Sequence, residues 1–88
     1  MSWVCEITED AEEDLRHLPK AIQKRVARVL TQMEADPFAG NVKALQGKAW
    51  KSIYRRRMGN YRLIFSADHP QQKLFVLRIL IRSGSTYQ

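Results

Sequence analysis

The sequence predicts an α+β domain: a leading strand, two helices in an antiparallel hairpin, and a three-strand antiparallel meander with the helices packed on one face. Three observations carry this. Apolar residues recur at helical spacing across roughly residues 11–33 and alternate near the start and through the last third. A Gly-Asn pair at 59–60 separates two alternating segments, where a two-residue hairpin turn belongs. A chain of 88 residues makes one domain, 1–88, and buries only about 60–65 % of its unfolded surface.

Each element has a local cause. Trp3, Cys5 and Ile7 alternate with more polar or smaller neighbours, as in a short strand. Thr8 suits an N-cap, and Glu9, Asp10, Glu12 and Glu13 favour the positive end of a helix dipole. Ala11, Leu15 and Leu18 form one stripe, which Pro19 ends while opening the next helix. From Pro19 to Glu34, the apolar residues Ile22, Val26, Val29, Leu30 and Met33 lie on one face, with Lys20, Lys24, Arg25 and Arg28 largely off it. Asp36-Pro37 stops this helix. Residues 37–49 read as a loop, and strands follow at about 50–57, 61–67 and 73–82.

Composition excludes several classes. No apolar run reaches the roughly 18 residues of a membrane span, and the acidic N-terminus lacks a signal peptide's apolar stretch, so the protein is expected in the cytoplasm. Cys5 is the only cysteine and is expected to be a small core residue; no disulfide or thiolate cluster is available. Asp68 stands alone in its half, so neither a metal nor another cofactor is expected. Trp3 and Trp50 are expected at the core or its edge. The net charge of +6 is uneven: residues 1–36 hold eight acids and five bases, whereas residues 37–88 hold ten bases and one acid. The basic half points to a polyanion; the acidic half is solvated or faces a partner.

The segment YRRRMGNYR, residues 54–62, concentrates four arginines around the expected turn. A Gly59-Asn60 turn sets Met58 against Tyr61, Arg57 against Arg62 and Arg55 against Ile64. Alternation then puts Arg55, Arg57 and Arg62 on one face, opposite Tyr61, Leu63 and Phe65. Phe75, Leu77, Ile79 and Ile81 are expected to face the helices, leaving Arg78 and Arg82 with the other arginines. Arg56 falls on the core side and must reach solvent along its stem. Like charges opposite one another destabilise a sheet, so the arrangement makes sense if an anion occupies that face; a merely solvated surface is the alternative. Guanidinium groups bind phosphate in bidentate fashion, and at this point RNA, DNA and catalysis are all open.

RNA carries its own nucleophile, the 2′-OH. Cleavage needs that proton removed, the phosphorane charge stabilised and the 5′ oxygen protonated. Arginines suit the second task. Tyr87, with its charged form favoured among cations, is a candidate for proton transfer; a packed terminal residue is the alternative. Lys43, Lys48 and Lys51 are either RNA contacts or part of a solvated loop.

The chain resembles the RelE/ParE toxin superfamily of bacterial toxin–antitoxin systems over nearly its whole length. The likeness runs through LRHLPKAIQKRV, DPFAG and KALQGK and is sharpest at YRRRMGNYRLIF. It implies a RelE-like, microbial-RNase-like fold and a small antitoxin that wraps the toxin in an oligomeric complex. In RelE-type members it implies metal-independent, ribosome-dependent cleavage of mRNA in the A site. The family's catalytic positions fall on Arg55, Arg57, Arg62, Arg82 and Tyr87; Lys48 and Lys51, by their charge, and Arg78, by strand alternation, are expected as further phosphate contacts. The segment IRSGSTYQ departs from many members in having no histidine, and the extra C-terminal helix of some members is missing. ParE-type members share the fold but poison DNA gyrase and generally lack the full catalytic set. The retained arginines and tyrosine favour the RelE type; gyrase inhibition and non-catalytic nucleic-acid binding are the alternatives.

Overall fold

Alternation and helical spacing become elements in the expected order, in a computed structural model that describes residues 3–45 and 53–81. They are β1 (Val4–Ile7), α1 (Glu9–Arg16), α2 (Lys20–Ala35), β2 (Val42–Ala44), β3 (Ile53–Met58), β4 (Tyr61–Asp68) and β5 (Lys73–Ile81). The five strands form one sheet in the order β1-β5-β4-β3-β2. β1 runs parallel to β5, and the other pairs are antiparallel. The helix hairpin carries the chain from β1 to β2 at the opposite edge of the sheet, and β3 and β4 bring it back to β5 beside β1.

Two details differ from expectation. Residues 42–44, expected in a loop, form a strand against Tyr54–Arg56. Three residues are too few to show a period, and the open edge of β3 supplies the pairing instead. The second difference lies in β5. Its partner jumps from Arg78, opposite Ile64, to Val76, opposite Phe65, so Leu77 is an extra residue in a β-bulge. Leu74 and Val76 are therefore the fully buried residues of its first half, and the expected positions of Phe75 and Leu77 against the helices are corrected. Beyond the bulge Ile79 is buried, as expected.

Thr8 secures the bulge and α1 together. Its N–H donates to the Val76 carbonyl at 3.1 Å. Its hydroxyl lies 3.0 Å from that oxygen and 3.2 Å from Leu77 O, while accepting from the Ala11 N–H at 3.3 Å. Thr8 thus caps α1, as expected. α2 ends at Asp36, whose extended backbone precedes Pro37.

The core lies between the helices and one sheet face. Ala11, Val26, Val29 and Met33 meet Met58, Leu63, Phe65, Leu74, Val76 and Ile79. Each large side chain buried here contributes about 1.5–3 kcal/mol. Trp3, half-buried, packs edge-on against Phe38 and His69. Cys5 is half-buried too; its thiol points at Leu30 O, and burial, with the nearby Glu34 charge, pushes its pKa up to about 11. A thiol so held is protonated and inert at neutral pH. Among the described residues, no helix is long and apolar enough to cross a membrane.

Candidate functional site

The β3–β4 turn fixes the site's geometry. Gly59 takes φ +60° and Asn60 does not, the sign pattern of a type II′ turn. The resulting register sets Met58 against Tyr61, Arg57 against Arg62 and Arg55 against Ile64. Directly paired residues share a face, and Leu63 and Phe65 on the alternate positions are buried under the helices. Arg55, Arg57 and Arg62 therefore lie together on the sheet face turned away from the helices. Arg57 is exposed; Arg55 and Arg62 are half-buried.

The register adds a residue that the sequence left among loop lysines. Lys43 pairs directly with Arg55 and joins the same face. Among the described residues, no carboxylate lies within ion-pair distance of Lys43, Arg55 or Arg57.

Arg78 shares this face by register but meets a different environment. Its Nε donates to Asp14 Oδ2 at 2.7 Å and its Nη2 to Oδ1 at 3.1 Å. Asp14 Oδ2 also accepts the Ile79 N–H at 2.9 Å. β1 pairs only with residues 73–76, so α1 supplies the acceptor for β5 beyond β1's end. The Arg78 hydrogen bond holds the Asp14 carboxyl below its ordinary range, against partial burial, with help from Ile79. The same bond raises Arg78. Expected with the phosphate-binding arginines, Arg78 instead has its guanidinium taken up by α1.

Between these two ends, the bulge leaves an apolar belt. Leu45, Ile64, Leu77 and Leu80 line an open depression of about 550 Å³, together with Thr8, Asp10 and Arg78. Arg56, the expected misfit, points to the helix side and reaches past the core. Its Nη1 donates to Ala39 O at 2.8 Å and its Nη2 to Gln32 Oε1 at 3.3 Å. Lys48, Lys51, Trp50, Arg82 and Tyr87 lie outside the described residues. Among those described, no group of three His, Cys, Asp or Glu residues is placed to hold a metal ion.

Residues 5–85 match the model of the family described as the ParE toxin of type II toxin–antitoxin system, parDE. The chain belongs to the RelE/ParE toxin superfamily. Solved structures of this superfamily share its fold. The toxin–antitoxin complex RelBE2 of Mycobacterium tuberculosis matches with a TM-score of 0.84 and 24 % identity, over 93 % of this chain and 100 % of that one. The archaeal RelE–RelB complex of Pyrococcus horikoshii gives 0.82 and 26 % identity, over 96 % and 99 %. The isolated RelE toxin of E. coli gives 0.80 and 18 % identity, over 97 % and 89 %. No protein with a curated description matches significantly in sequence. On this scaffold the chain carries a cationic cluster on its open sheet face, at Lys43, Arg55, Arg57 and Arg62, and the Asp14–Arg78 ion pair beside α1.

Proposed function

We propose that this superfamily member is a toxin that cleaves mRNA in the ribosomal A site without a metal, by attack of the RNA 2′-OH. One observation carries this reading: at the turn end of the open face, Arg57 and Arg62 stand directly opposite one another beside Arg55 and Lys43. Cationic side chains gathered this way suit a phosphodiester, whose oxygens accept from several donors at once. In the proposed reaction Arg55, Arg57 and Arg62 neutralise the charge that develops on the phosphorane, where fixed donors are most effective. Arg82 completes the cationic set and Tyr87 moves a proton, both assigned by resemblance. Lys48 and Lys51 hold flanking phosphates or ribosomal RNA. Arg78 stays with Asp14 and holds β5 in place. The proposed site of action is the cytoplasm, where ribosome and message are found.

The chain's proposed partner is a cognate antitoxin, forming an oligomeric complex with it. Support comes from the solved complexes of similar fold, in which the toxin is accompanied by RelB. The test is expression of the chain without an antitoxin, followed by mapping of transcript ends. Growth arrest with cuts inside the codons of translated messages is expected; arrest with intact transcripts would end the proposal. A second reading, inhibition of DNA gyrase, is favoured by the family description itself. It predicts intact mRNA and loss of supercoiling activity when purified protein is added to gyrase.

A further inference from the structure

A second basic surface lies on the helix side, outside the proposed reaction site. Arg25, Arg28 and Gln32 of α2 line a groove of about 300 Å³ with Arg56, Arg57 and Gly59. Among the described residues, no carboxylate lines it. α2 places Arg25, Arg28 and Gln32 three and four residues apart, hence on one helix face. Arg25 and Arg28 are both exposed, and neither has an ion-pair partner among the described residues.

The backbone is shaped to let guanidinium groups lie against it. The glycines with positive φ among the described residues are Gly40 and Gly59. A Cβ at Gly59 would stand 3.0 Å from Arg25 Nη1, and one at Gly40 would stand 3.3 Å from Arg56 Nη2. Arg25 thus rests on the hairpin turn, and Arg56 is held by Ala39 O and Gln32. These cations are placed rather than free to disperse. Arg57 belongs by register to the open face and is also among the residues that line this groove, so the two basic surfaces adjoin at the end of β3 beside the turn.

We infer that this groove is a phosphate subsite for a nucleic-acid backbone, which passes from the open face around the β3–β4 turn to Arg25, Arg28 and Arg56. The lining favours phosphate. A protein segment that docks through apolar anchors finds none here, where only Val29 and Met58 are apolar and both are buried. Clustered guanidinium groups with one amide match phosphate oxygens instead. The inference rests on the proposal that the open face binds RNA, and adds where the strand continues.

The test uses the full chain and a fluorescent 2′-O-methyl oligouridylate of about twelve nucleotides, a probe that cannot be cut. Anisotropy is measured from about 50 to 200 mM salt. For single strands, removing one cation that meets a phosphate lowers the slope of log K against log salt by about 0.7. The Arg25→Gln/Arg28→Gln double variant is expected to bind about ten-fold more weakly at low salt and to lower the slope by about 1.4. Arg28→Gln alone, which disturbs no described hydrogen bond or ion pair, is expected to lower it by about 0.7. Unchanged slopes in both variants, with Arg55→Gln still lowering it, would overturn the groove inference and leave the open-face proposal standing. Absence of binding by the unaltered chain would overturn both. An oligoglutamate that binds as tightly as the RNA, with the same dependence on the two arginines, would assign the groove to an acidic protein and overturn the inference.

Discussion

The two ends of the open sheet face contain similar residues in opposite electrostatic situations. At the α1 end two described basic residues of β5 have carboxylates: Arg78 meets Asp14 at 2.7 Å, and Lys73 meets Glu6 at 3.6 Å. At the turn end Lys43, Arg55 and Arg57 have none among the described residues, and Arg57 stands opposite Arg62. The acids that match the first end come from β1 and α1, in the acidic part of the sequence. α2, from the same part of the sequence, does reach the turn, and it brings Arg25 and Arg28 there rather than an acid. The difference teaches that the charge asymmetry of the chain is a spatial device: the acidic half pairs with Lys73 and Arg78 and, among the described residues, supplies no carboxylate to Lys43, Arg55 or Arg57.

The comparison can be broken from either end. The largest effect belongs to Arg62→Ala, expected to slow message cleavage by about 100- to 1000-fold while far-UV circular dichroism is unchanged. At the other end Asp14→Ala leaves Arg78 and the Ile79 N–H without their acceptor. It is expected to lower stability by about 1–3 kcal/mol, read by urea denaturation. The Asp14 carboxyl has a lower pKa folded than unfolded, so its contribution is complete above its ordinary value of 3.8 and is lost as pH falls through the folded value. Thermal scans should therefore show the unaltered protein losing stability more steeply than Asp14→Asn below about pH 4.

Smaller effects sharpen the contrast in sign. Arg57→Gln removes a like-charge pair and is expected to stabilise the fold by about 0.2–1 kcal/mol, more at low salt. Arg78→Gln should destabilise under the same conditions. Glu6→Gln breaks a long, exposed pair and should cost less than about 0.5 kcal/mol.

What the sequence made legible follows from how unambiguous each local signal is. The stripe from Ile22 to Met33 fits only a helix, and Gly59-Asn60 fixed a register that placed three arginines on one face. The bulge was hidden because Leu74 to Leu77 are apolar in both settings of the alternation, so no side chain objects to either face. β2 was hidden because its pairing comes from β3 rather than from its own three residues. Asp14 and Arg78 lie 64 residues apart, and nothing local announces their contact. Arg56 was legible as a residue that must escape the core, but its acceptors, Ala39 O and Gln32, depend on how α2 ends.

The contrast between the two ends is tested most directly by backbone amide shifts, recorded as a non-cleavable RNA oligonucleotide is added to the isotope-labelled chain. Shifts concentrated at Lys43, Arg55, Arg57 and Arg62, with Lys73 and Arg78 still, are the expected result. Shifts centred on Lys73 and Arg78, or spread evenly over both ends, would contradict it.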